Sequence, residues 1–360
     1  MKTKLVLTVI LTSFLFLAGC SNNEDSVEES AVASKASKSK SSVIDKTYPG
    51  VQKQVLKAFG AIATSITNGA GYGCGSDFME QLISFHAYGD KFVEFNNGLV
   101  YDSDGNEINE RTFFGTIVDK GGVKQFAAMP GTLKVAVYFG NVANLTFVSD
   151  FILKIGGLEQ PPINNLITLL FVKVKGDWKM VHEHHSPVVG NEDIDIGSVV
   201  VVPCEPSSDR LNNKSYPDEE QEVLETFGAI ATSITLGAGH GYDGEHMDKL
   251  ISFHAYGHKF VEFNNGEVFD SADNEHNERK FFGETVDIGG VNRFAPLGES
   301  LKIAVYNGNV ANLTFISDFH LEIGGVEQPP INNLITLLFV KIKGEWKMVH
   351  EHHSPYSGPA

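Results

Sequence analysis

The apolar positions of residues 48–85 recur at the three- and four-residue spacing of amphipathic helices. This spacing places one side of a helix against a core, and the first such stretch ends at Gly69, a residue type that commonly ends helices. We predict two helices here, with the apolar faces Val55, Phe59, Ile62 and Ile66 and then Phe78, Met79, Leu82 and Phe85.

The pattern then changes to short apolar runs that are typical of strands. Residues 91–95 and 99–101 flank Asn97-Gly98, a pair favoured in tight hairpin turns. A third helix is predicted over 109–120. Four further strands, separated by glycine-containing turns, are predicted over 133–138, 142–155, 163–175 and 178–186. This order predicts an α+β fold in which a strongly curved, mostly antiparallel sheet wraps around three helices.

The whole pattern occurs twice. Residues 48–187 align with residues 216–355 at a constant offset of 168, without a gap and with about 70% identity. A unit of this length can bury its own core, so we interpret the chain as a tandem duplication of one domain. We place the domains at 47–187 and 216–356. The linker, 188–215, contains the valine run 199–202, which is a candidate edge strand.

The first twenty residues have the pattern of an export signal. Two lysines precede an apolar run that is short for a membrane span and ends in Leu17-Ala18-Gly19-Cys20. This ending resembles the lipobox of bacterial lipoproteins, in which the segment before the cysteine (here 1–19) is removed and the cysteine is acylated. We expect Cys20 to anchor the chain in a lipid bilayer of the cell envelope, the outer membrane in a two-membrane host. A plain secretory signal is the alternative.

The amino-acid composition restricts the structure of the remaining segment, the kind of partner and the number of disulfides. Residues 20–46 are polar and lack aromatic residues, which predicts a flexible tether. The formal net charge of −17 argues against a nucleic-acid partner, because phosphates require a basic surface. Three cysteines are too few for a disulfide framework. Two cysteines remain besides Cys20. Either Cys74 and Cys204 pair in an oxidising compartment, which would tie the linker to the first domain, or both remain free.

The closing strand carries the most specific motif. Residues 176–186 read Gly-Asp-Trp-Lys-Met-Val-His-Glu-His-His-Ser, and 344–354 repeat it with Glu in place of Asp. Together with the element order, this motif resembles the SnoaL-like branch of the nuclear-transport-factor-2-like superfamily. The resemblance implies a cone formed by a curved sheet and three helices, with a pocket at its open end. It also implies intramolecular pairing of the two domains, because members commonly dimerise through the outer sheet face.

Strand alternation predicts which side chains enter the cone. Trp178, Met180, His182 and His184 share one strand face, so a pocket on the Trp side would receive both histidines. Such histidines serve in hydrogen bonding and packing, in ligand contact, or in catalysis as a general base beside a carboxylate. The candidate pocket residues are His86, Tyr88, Glu94, Asn96, Asp150, Trp178, His182 and His184, with His254, Tyr256, Glu262, Asn264, Asp318, Trp346, His350 and His352 in the second copy.

We predict no metal site and no cofactor. Two histidines on a strand plus a third form a workable ligand set, but the sequence places no acidic or cysteine ligand beside them. Residues 102–107 begin like a calcium-binding loop. Phe113, however, occupies the twelfth position, where such a loop needs glutamate, so we interpret 102–107 as an ordinary polar turn.

Three functions remain open at this point, because the related families include ketosteroid isomerase, scytalone dehydratase, polyketide cyclases, kinase association domains and proteins that only bind. We favour binding of a small, partly apolar organic ligand in each domain. One alternative is an isomerase, dehydratase or cyclase that uses the pocket histidines. The other is a protein-interaction scaffold whose pockets are filled by phenylalanine side chains.

Overall fold

Each half of the chain folds into the same succession of helices and strands. The computed structural model describes residues 43–189, 201–211 and 213–358. The first repeat contains α1 (Pro49–Gly69), α2 (Asp77–Ser84), β1 (Val93–Asn96), β2 (Leu99–Tyr101), α3 (Ser103–Thr112), β3 (Val118–Ala128), β4 (Lys134–Tyr138), β5 (Val142–Ile155), β6 (Leu158–Glu159), β7 (Asn165–Val174) and β8 (Asp177–Pro187). The second contains α4 (Pro217–Gly237), α5 (Glu245–Ser252), β9 (Val261–Asn264), β10 (Glu267–Phe269), α6 (Ser271–Lys280), β11 (Val291–Pro296), β12 (Lys302–Tyr306), β13 (Val310–Ile323), β14 (Val326–Glu327), β15 (Asn333–Ile342) and β16 (Glu345–Pro355).

One curved sheet forms the frame of each repeat. In the first, the strand order is β2-β1-β8-β7-β5-β3, and the long strand β5 also pairs with β4 and β6. Only the β1–β8 pair is parallel among the described strand pairs of this sheet. The apolar face of α1 is buried against the sheet, with Phe59 tilted on Phe147. These observations confirm the predicted α+β fold and its tandem duplication.

The third helix differs from its prediction. It begins at Ser103 because the Asp102 side chain accepts a hydrogen bond from the Gly105 backbone N–H, which caps the helix. The residues that resembled a calcium loop are therefore the start of α3. A π-helical turn, Phe113–Ile117, follows, and the chain then enters β3 at Val118. The predicted helix over 109–120 thus begins six residues too late and is wrong at 118–120, which belong to the missed strand β3.

A β-bulge changes the closing strand. The pairing between β7 and β8 shifts by one residue at this point. Phe171 pairs with Met180, whereas its neighbour Leu170 pairs with His182, so one residue of β8 is skipped. Val181 is the extra residue, and each residue beyond it points to the opposite side from the one that simple alternation predicts. The second repeat has the same shift between Leu338 and Phe339.

The outer faces of the two sheets contact each other. Apolar residues from both repeats form one buried cluster, which includes Tyr138 and Leu170 from the first and Tyr306 and Leu338 from the second. Residues 41–360 accordingly form one compact unit. Lysines reinforce the contact in a reciprocal way, because Lys91 Nζ donates to the Val305 carbonyl at 2.6 Å and Lys259 Nζ to the Val137 carbonyl at 2.9 Å.

Several predictions concern segments outside the domains, and much of these segments lies outside the residues that the structure describes. The export signal, Cys20 and tether residues 20–42 lie outside them, as do Val199 and Val200, whereas Val201 and Val202 are not in a strand. The end of the predicted tether packs on the protein, since Ile44 is buried and Lys259 Nζ donates to the Val43 carbonyl. No helix among the described residues is both long and apolar enough to cross a membrane.

Candidate functional site

Each repeat encloses a cavity between its helices and its curved sheet. The cavity has a volume of about 300 Å³ in the first repeat and about 270 Å³ in the second. This size, with an apolar wall and a few polar groups, is typical of sites for small organic molecules. Five equivalent phenylalanines dominate each wall, Phe113, Phe114, Phe126, Phe147 and Phe151 in the first repeat and Phe281, Phe282, Phe294, Phe315 and Phe319 in the second, where Phe227 adds a sixth.

A cluster of buried ionisable groups forms one end of the first cavity. His86 Nε2 lies 2.9 Å from Glu183 Oε1, and the other ring nitrogen lies 3.2 Å from the Leu82 carbonyl. Glu94 accepts hydrogen bonds from Asn96 and Asn106, both at 2.8 Å. His185 Nε2 lies 3.4 Å from the second oxygen of Glu183. The cluster therefore joins the end of α2, β1, α3 and β8.

The second repeat builds the same cluster from equivalent residues. His254 Nε2 lies 3.0 Å from Glu351 Oε1, and Glu262 accepts from Asn264 and Asn274 at 2.8 Å. One distance is specific to this copy, because Glu278 Oε2 lies 3.7 Å from His254 Nε2. His254, Glu278 and Glu351 thus place three potential metal-ligand atoms within 4.8 Å of one another, a group that the sequence analysis missed.

Burial and neighbouring charges give the acids of each cluster opposite pKa shifts. Burial raises the pKa of Glu278 to about 8, and the charges of Glu351 and Glu262 add to this although His254 opposes it. Burial acts in the same direction on Glu351, but the hydrogen bond from His254 and the nearby His353 imidazole outweigh it and lower its pKa. Burial opposes a charge on His254, yet Glu278 and Glu351 raise the pKa of this imidazole to about 9.

The first cluster shows the same separation. Burial, followed by the charges of Glu183 and Glu94, raises the pKa of Glu110 well above its usual value. For Glu183, burial is outweighed by His86 and His185, so that its pKa is lowered. Each cavity therefore holds one glutamate whose pKa is lowered and one whose pKa is raised, side by side.

Two atoms of each cluster lack a hydrogen-bond partner among the described residues. They are Glu110 Oε2 and His185 Nε2 in the first repeat and Glu278 Oε2 and His353 Nε2 in the second. All four of these side chains line the cavities. Other orphaned atoms, such as the Tyr138 and Tyr306 hydroxyls, lie outside the cavities, so these four are the ones that a molecule bound in a cavity could contact.

The histidines that we predicted in the pocket lie elsewhere. Beyond the Val181 bulge, His182 and His184 point to the outer face of the sheet and contact the other repeat, as His350 and His352 do. Simple alternation is wrong here because the bulge reverses the face. Their neighbours Glu183 and His185 occupy the cavity instead. Of the three roles considered for these histidines, the structure places them in hydrogen bonding and packing.

The contacts of these histidines determine which ring nitrogens carry protons. His182 Nδ1 donates to the Val93 carbonyl at 2.8 Å, so its Nε2 accepts from the Thr336 hydroxyl at 2.9 Å. The same hydroxyl then accepts from His184 Nδ1, and His184 Nε2 accepts from Ser354. His350 and His352 form the reciprocal chain, and the His184 and His352 rings stack at 3.6 Å. Every atom is satisfied with neutral imidazoles.

The other candidate pocket residues divide into those at the cavity and those that pack behind or beside it. His86, Asn96, Glu262 and Asn264 line it, whereas Glu94 and His254 belong to its ionisable clusters. The remaining ones pack behind or beside it. Tyr88 and Tyr256 donate to Asn106 and Asn274, Trp178 and Trp346 donate to Gln54 and Glu222, Asp150 accepts from Gln125, and Asp318 pairs with Arg293 and His320.

The part of the linker that the structure describes covers α3 of the first repeat, and we call residues 203–211 the strap. A disulfide joins Cys204 of the strap to Cys74. Next to it, the buried Glu107 carboxylate accepts from the backbone N–H groups of Ser207 and Ser208 and from Arg210. These contacts outweigh burial and lower the pKa of Glu107 to about 2.

Comparisons with solved structures find similar proteins of single-repeat size. A nuclear transport factor 2-like superfamily protein from Salmonella enterica is 17% identical, with 40% of this chain and 95% of that chain covered and a TM-score of 0.32. A candidate calcium/calmodulin-dependent kinase II association domain from Exiguobacterium sibiricum is 11% identical, covers 41% of this chain and 100% of its own, and has a TM-score of 0.32. A candidate scytalone dehydratase from Novosphingobium aromaticivorans is 11% identical, with coverages of 40% and 91% and a TM-score of 0.31.

A comparison with curated proteins finds no match. The SnoaL-like domain family matches the chain twice, over residues 83–190 and 252–357. These ranges together cover more than half of the chain and contain the cavity-lining acids and histidines of both repeats. The chain therefore belongs to the SnoaL-like domain family, with two family domains in tandem.

Proposed function

We propose that this protein is an exported, lipid-anchored binding protein whose two repeats each bind one small, partly apolar organic ligand. The observation that carries the proposal is the cavity in each repeat, which combines a phenylalanine wall with orphaned polar atoms at one end. A wall of this kind favours an apolar ligand body, and the unpaired atoms favour a polar group at its end. A scaffold with phenylalanine-filled pockets would leave no such space.

Ligand binding is tested with N-phenyl-1-naphthylamine, a neutral aromatic probe that fluoresces strongly in apolar sites. We expect saturable fluorescence with about two sites per chain, since the two cavity walls are nearly identical. Ile163→Trp with Ile331→Trp places an indole in each cavity and should abolish the signal, because both isoleucines line the wall.

The matched control is Leu158→Trp with Val326→Trp, since these side chains are 69% and 60% exposed on the outside of the repeats. This control should bind the probe as the unchanged chain does. Ile163→Trp alone should remove one of two sites, which keeps the test valid if the double variant folds poorly. Equal binding by the cavity-filled and control variants would contradict the proposal.

The lipid anchor is a separate part of the proposal and is supported by the sequence, with its basic start, apolar run and Leu17-Ala18-Gly19-Cys20 ending. Expressed in bacteria with labelled palmitate, the chain should incorporate label and sediment with membranes. Cys20→Ala should remove both properties, because the acylated sulfur would be missing. Membrane association of Cys20→Ala at the original level would contradict lipid anchoring.

A second candidate function is proton-transfer catalysis, which one observation favours. Each cavity holds a glutamate with a raised pKa beside a histidine–glutamate pair, a set of groups that can donate and accept protons as an isomerase or dehydratase requires. A compound that copurifies with the chain, identified by mass spectrometry, should then be converted by the chain and not by His86→Gln with His254→Gln. Retention of the compound without conversion would leave binding as the function.

A further inference from the structure

The ionisable groups of each cavity do not balance. The first contains three carboxyl groups, on Glu94, Glu110 and Glu183, and two imidazoles, on His86 and His185. Glu183 contacts both imidazoles, and Glu94 accepts from two amide groups. Glu110 is therefore the surplus acid, and its Oε2 has no partner although the residue is only 8% exposed.

The second repeat repeats the imbalance with Glu262, Glu278, Glu351, His254 and His353. Glu278 Oε2 is again without a hydrogen bond, although it lies 3.7 Å from His254 Nε2. A buried carboxyl group without a partner is costly, and it escapes part of that cost by keeping a proton. A ligand that brings a positive charge would give this acid the partner that it lacks.

The surroundings of the surplus acid suit an organic cation. Phe113 and Phe114 follow Glu110 by three and four residues, so they project from the same side of the helical segment, and both line the cavity. Aromatic faces attract cations that have lost their water shell. The chain's net charge of −17 would also draw cations towards it.

A metal ion fits these observations less well. The group of potential metal ligands occurs among the described residues only in the second repeat, whereas the orphaned glutamate oxygen occurs in both. The remaining space around the glutamates is walled by phenylalanine, which offers no ligand atoms for a metal.

We propose that each cavity recognises an organic ammonium group, with Glu110 or Glu278 accepting its N–H hydrogen bonds while the phenylalanine wall holds an apolar body. This inference rests on the proposed function and names the chemical class of its ligand. The two repeats would take the same class, because the surplus acid and the five phenylalanines are identical in both.

The test uses three compounds that share a naphthalene body and differ in their polar end. They are 2-(1-naphthyl)ethylamine, 2-(1-naphthyl)ethanol and 1-naphthaleneacetic acid, and each competes with N-phenyl-1-naphthylamine for the full chain. The amine should displace the probe at a concentration at least tenfold lower than the alcohol does, and the acid should be the weakest. A buried carboxyl group that gains an ionic hydrogen-bond partner gives this order.

Glu110→Gln with Glu278→Gln keeps the shape of the side chains and removes the acid. In this variant the amine should fall to within about threefold of the alcohol, whose binding stays unchanged. The matched control is Glu159→Gln with Glu327→Gln, which removes the same number of carboxyl groups from exposed equivalent positions and should keep the amine preference. Glu278→Gln alone should weaken amine binding at one of two sites.

The outcomes separate the inference from the function on which it rests. If the alcohol or the acid competes as well as the amine, or if the Glu110→Gln, Glu278→Gln variant keeps the amine preference, the ammonium inference is overturned while ligand binding stands. If neither the probe nor any of the three compounds binds, the proposed function fails. Stoichiometric binding of added ZnCl₂ that Glu278→Gln abolishes would overturn the inference by assigning this acid to a metal.

Discussion

Nearby histidines of the closing strand have opposite pKa shifts because they lie on opposite sides of one sheet. Burial between the repeats lowers the pKa of His182 to about 3, and its hydrogen bond to Val93 only partly opposes this. His185, three residues later, faces the cavity, where Glu183 outweighs burial and raises the pKa of the ring. The environment across the sheet, and not the local sequence, therefore decides which histidine is charged.

The interface histidines predict loss of stability in acid. The pKa is about 3 for His182, about 4 for His350 and well below the usual value for His184 and His352, with burial as the main cause. In the unfolded chain these rings titrate near pH 6.5, so below this pH the unfolded state binds more protons. The contribution of these rings to the free energy of unfolding should therefore decrease from about pH 6.5 to about pH 4, by roughly 1.4 kcal/mol per pH unit for each fully titrating ring, while the raised pKa of Glu278 acts in the opposite direction above about pH 4.5.

Urea denaturation at several pH values measures this slope. His182→Gln with His350→Gln removes two of the four rings and should make the loss of stability in acid less steep by roughly 2.8 kcal/mol per pH unit, the contribution of two rings, whatever its effect on stability at pH 7. Exchange of the exposed His240 and His276 for Gln changes the histidine count equally and should leave the slope as it was. An unchanged slope in the interface variant would show that these rings do not control the acid sensitivity.

The sequence predicted which strand carries the site, but not which side chains of that strand face the cavity. The closing motif identified the correct strand, and His86 and Asn96 line the cavity as candidates chosen from their element order. Glu183 and His185 were assigned to the wrong face because a single bulged residue, Val181, has no signature in the motif. Glu110 was missed because its role depends on which acids lack partners, and partners are set by tertiary contacts.

At the scale of elements, the sequence predicts best where apolar spacing is long and regular. This spacing predicts helix α1 and the strands β4, β5, β7 and β8 within a few residues of their observed ends. The prediction is wrong around α3, whose polar sequence carries little periodicity and whose start is set by the Asp102 cap. The missed strand β3 contains Gly121 and Gly122, which resemble a turn, although the structure places them within an irregular, bulged pairing with β5.

The strap predicts unequal roles for two equivalent acids. The Glu107 side chain is fully buried and accepts from the strap and from Arg111, whereas its counterpart Glu275 is 40% exposed and pairs with Arg279. Glu107→Gln should lower the free energy of unfolding by about 2 to 3 kcal/mol, since charged hydrogen bonds in a buried site are lost. Glu275→Gln should change it by at most about 0.5 kcal/mol.

Urea unfolding of the two variants under oxidising conditions provides the comparison, because the Cys74–Cys204 disulfide then holds the strap in place in both. Equal changes in the two variants would mean that the strap contributes nothing through Glu107. With the disulfide reduced, Glu107→Gln should lose more stability than it does when oxidised, because the carboxylate contacts and the disulfide hold the same segment.

At the scale of the whole molecule, the interface is built from residues that occur in both repeats. Thr168, His182, His184 and Ser186 have the identical counterparts Thr336, His350, His352 and Ser354, and each of their hydrogen bonds across the interface has a reciprocal bond. The chain therefore contains, within one polypeptide, the kind of self-complementary surface that two-fold symmetric dimers use.

This symmetry predicts that the second repeat alone, residues 213–358, forms a homodimer. It buries its own core, but separation from the first repeat would expose Leu338, Val340 and neutral histidines that are now covered. A second copy offers the same Thr, His and Ser groups in the same arrangement, so every lost hydrogen bond can form again.

Light scattering at tens of micromolar should give twice the mass of the fragment. Leu338→Glu should shift it to a monomer, because a charge would enter the centre of the apolar contact. A monomeric unchanged fragment with native secondary structure would mean that the contact depends on the covalent connection between the repeats and not on the complementarity of the two faces.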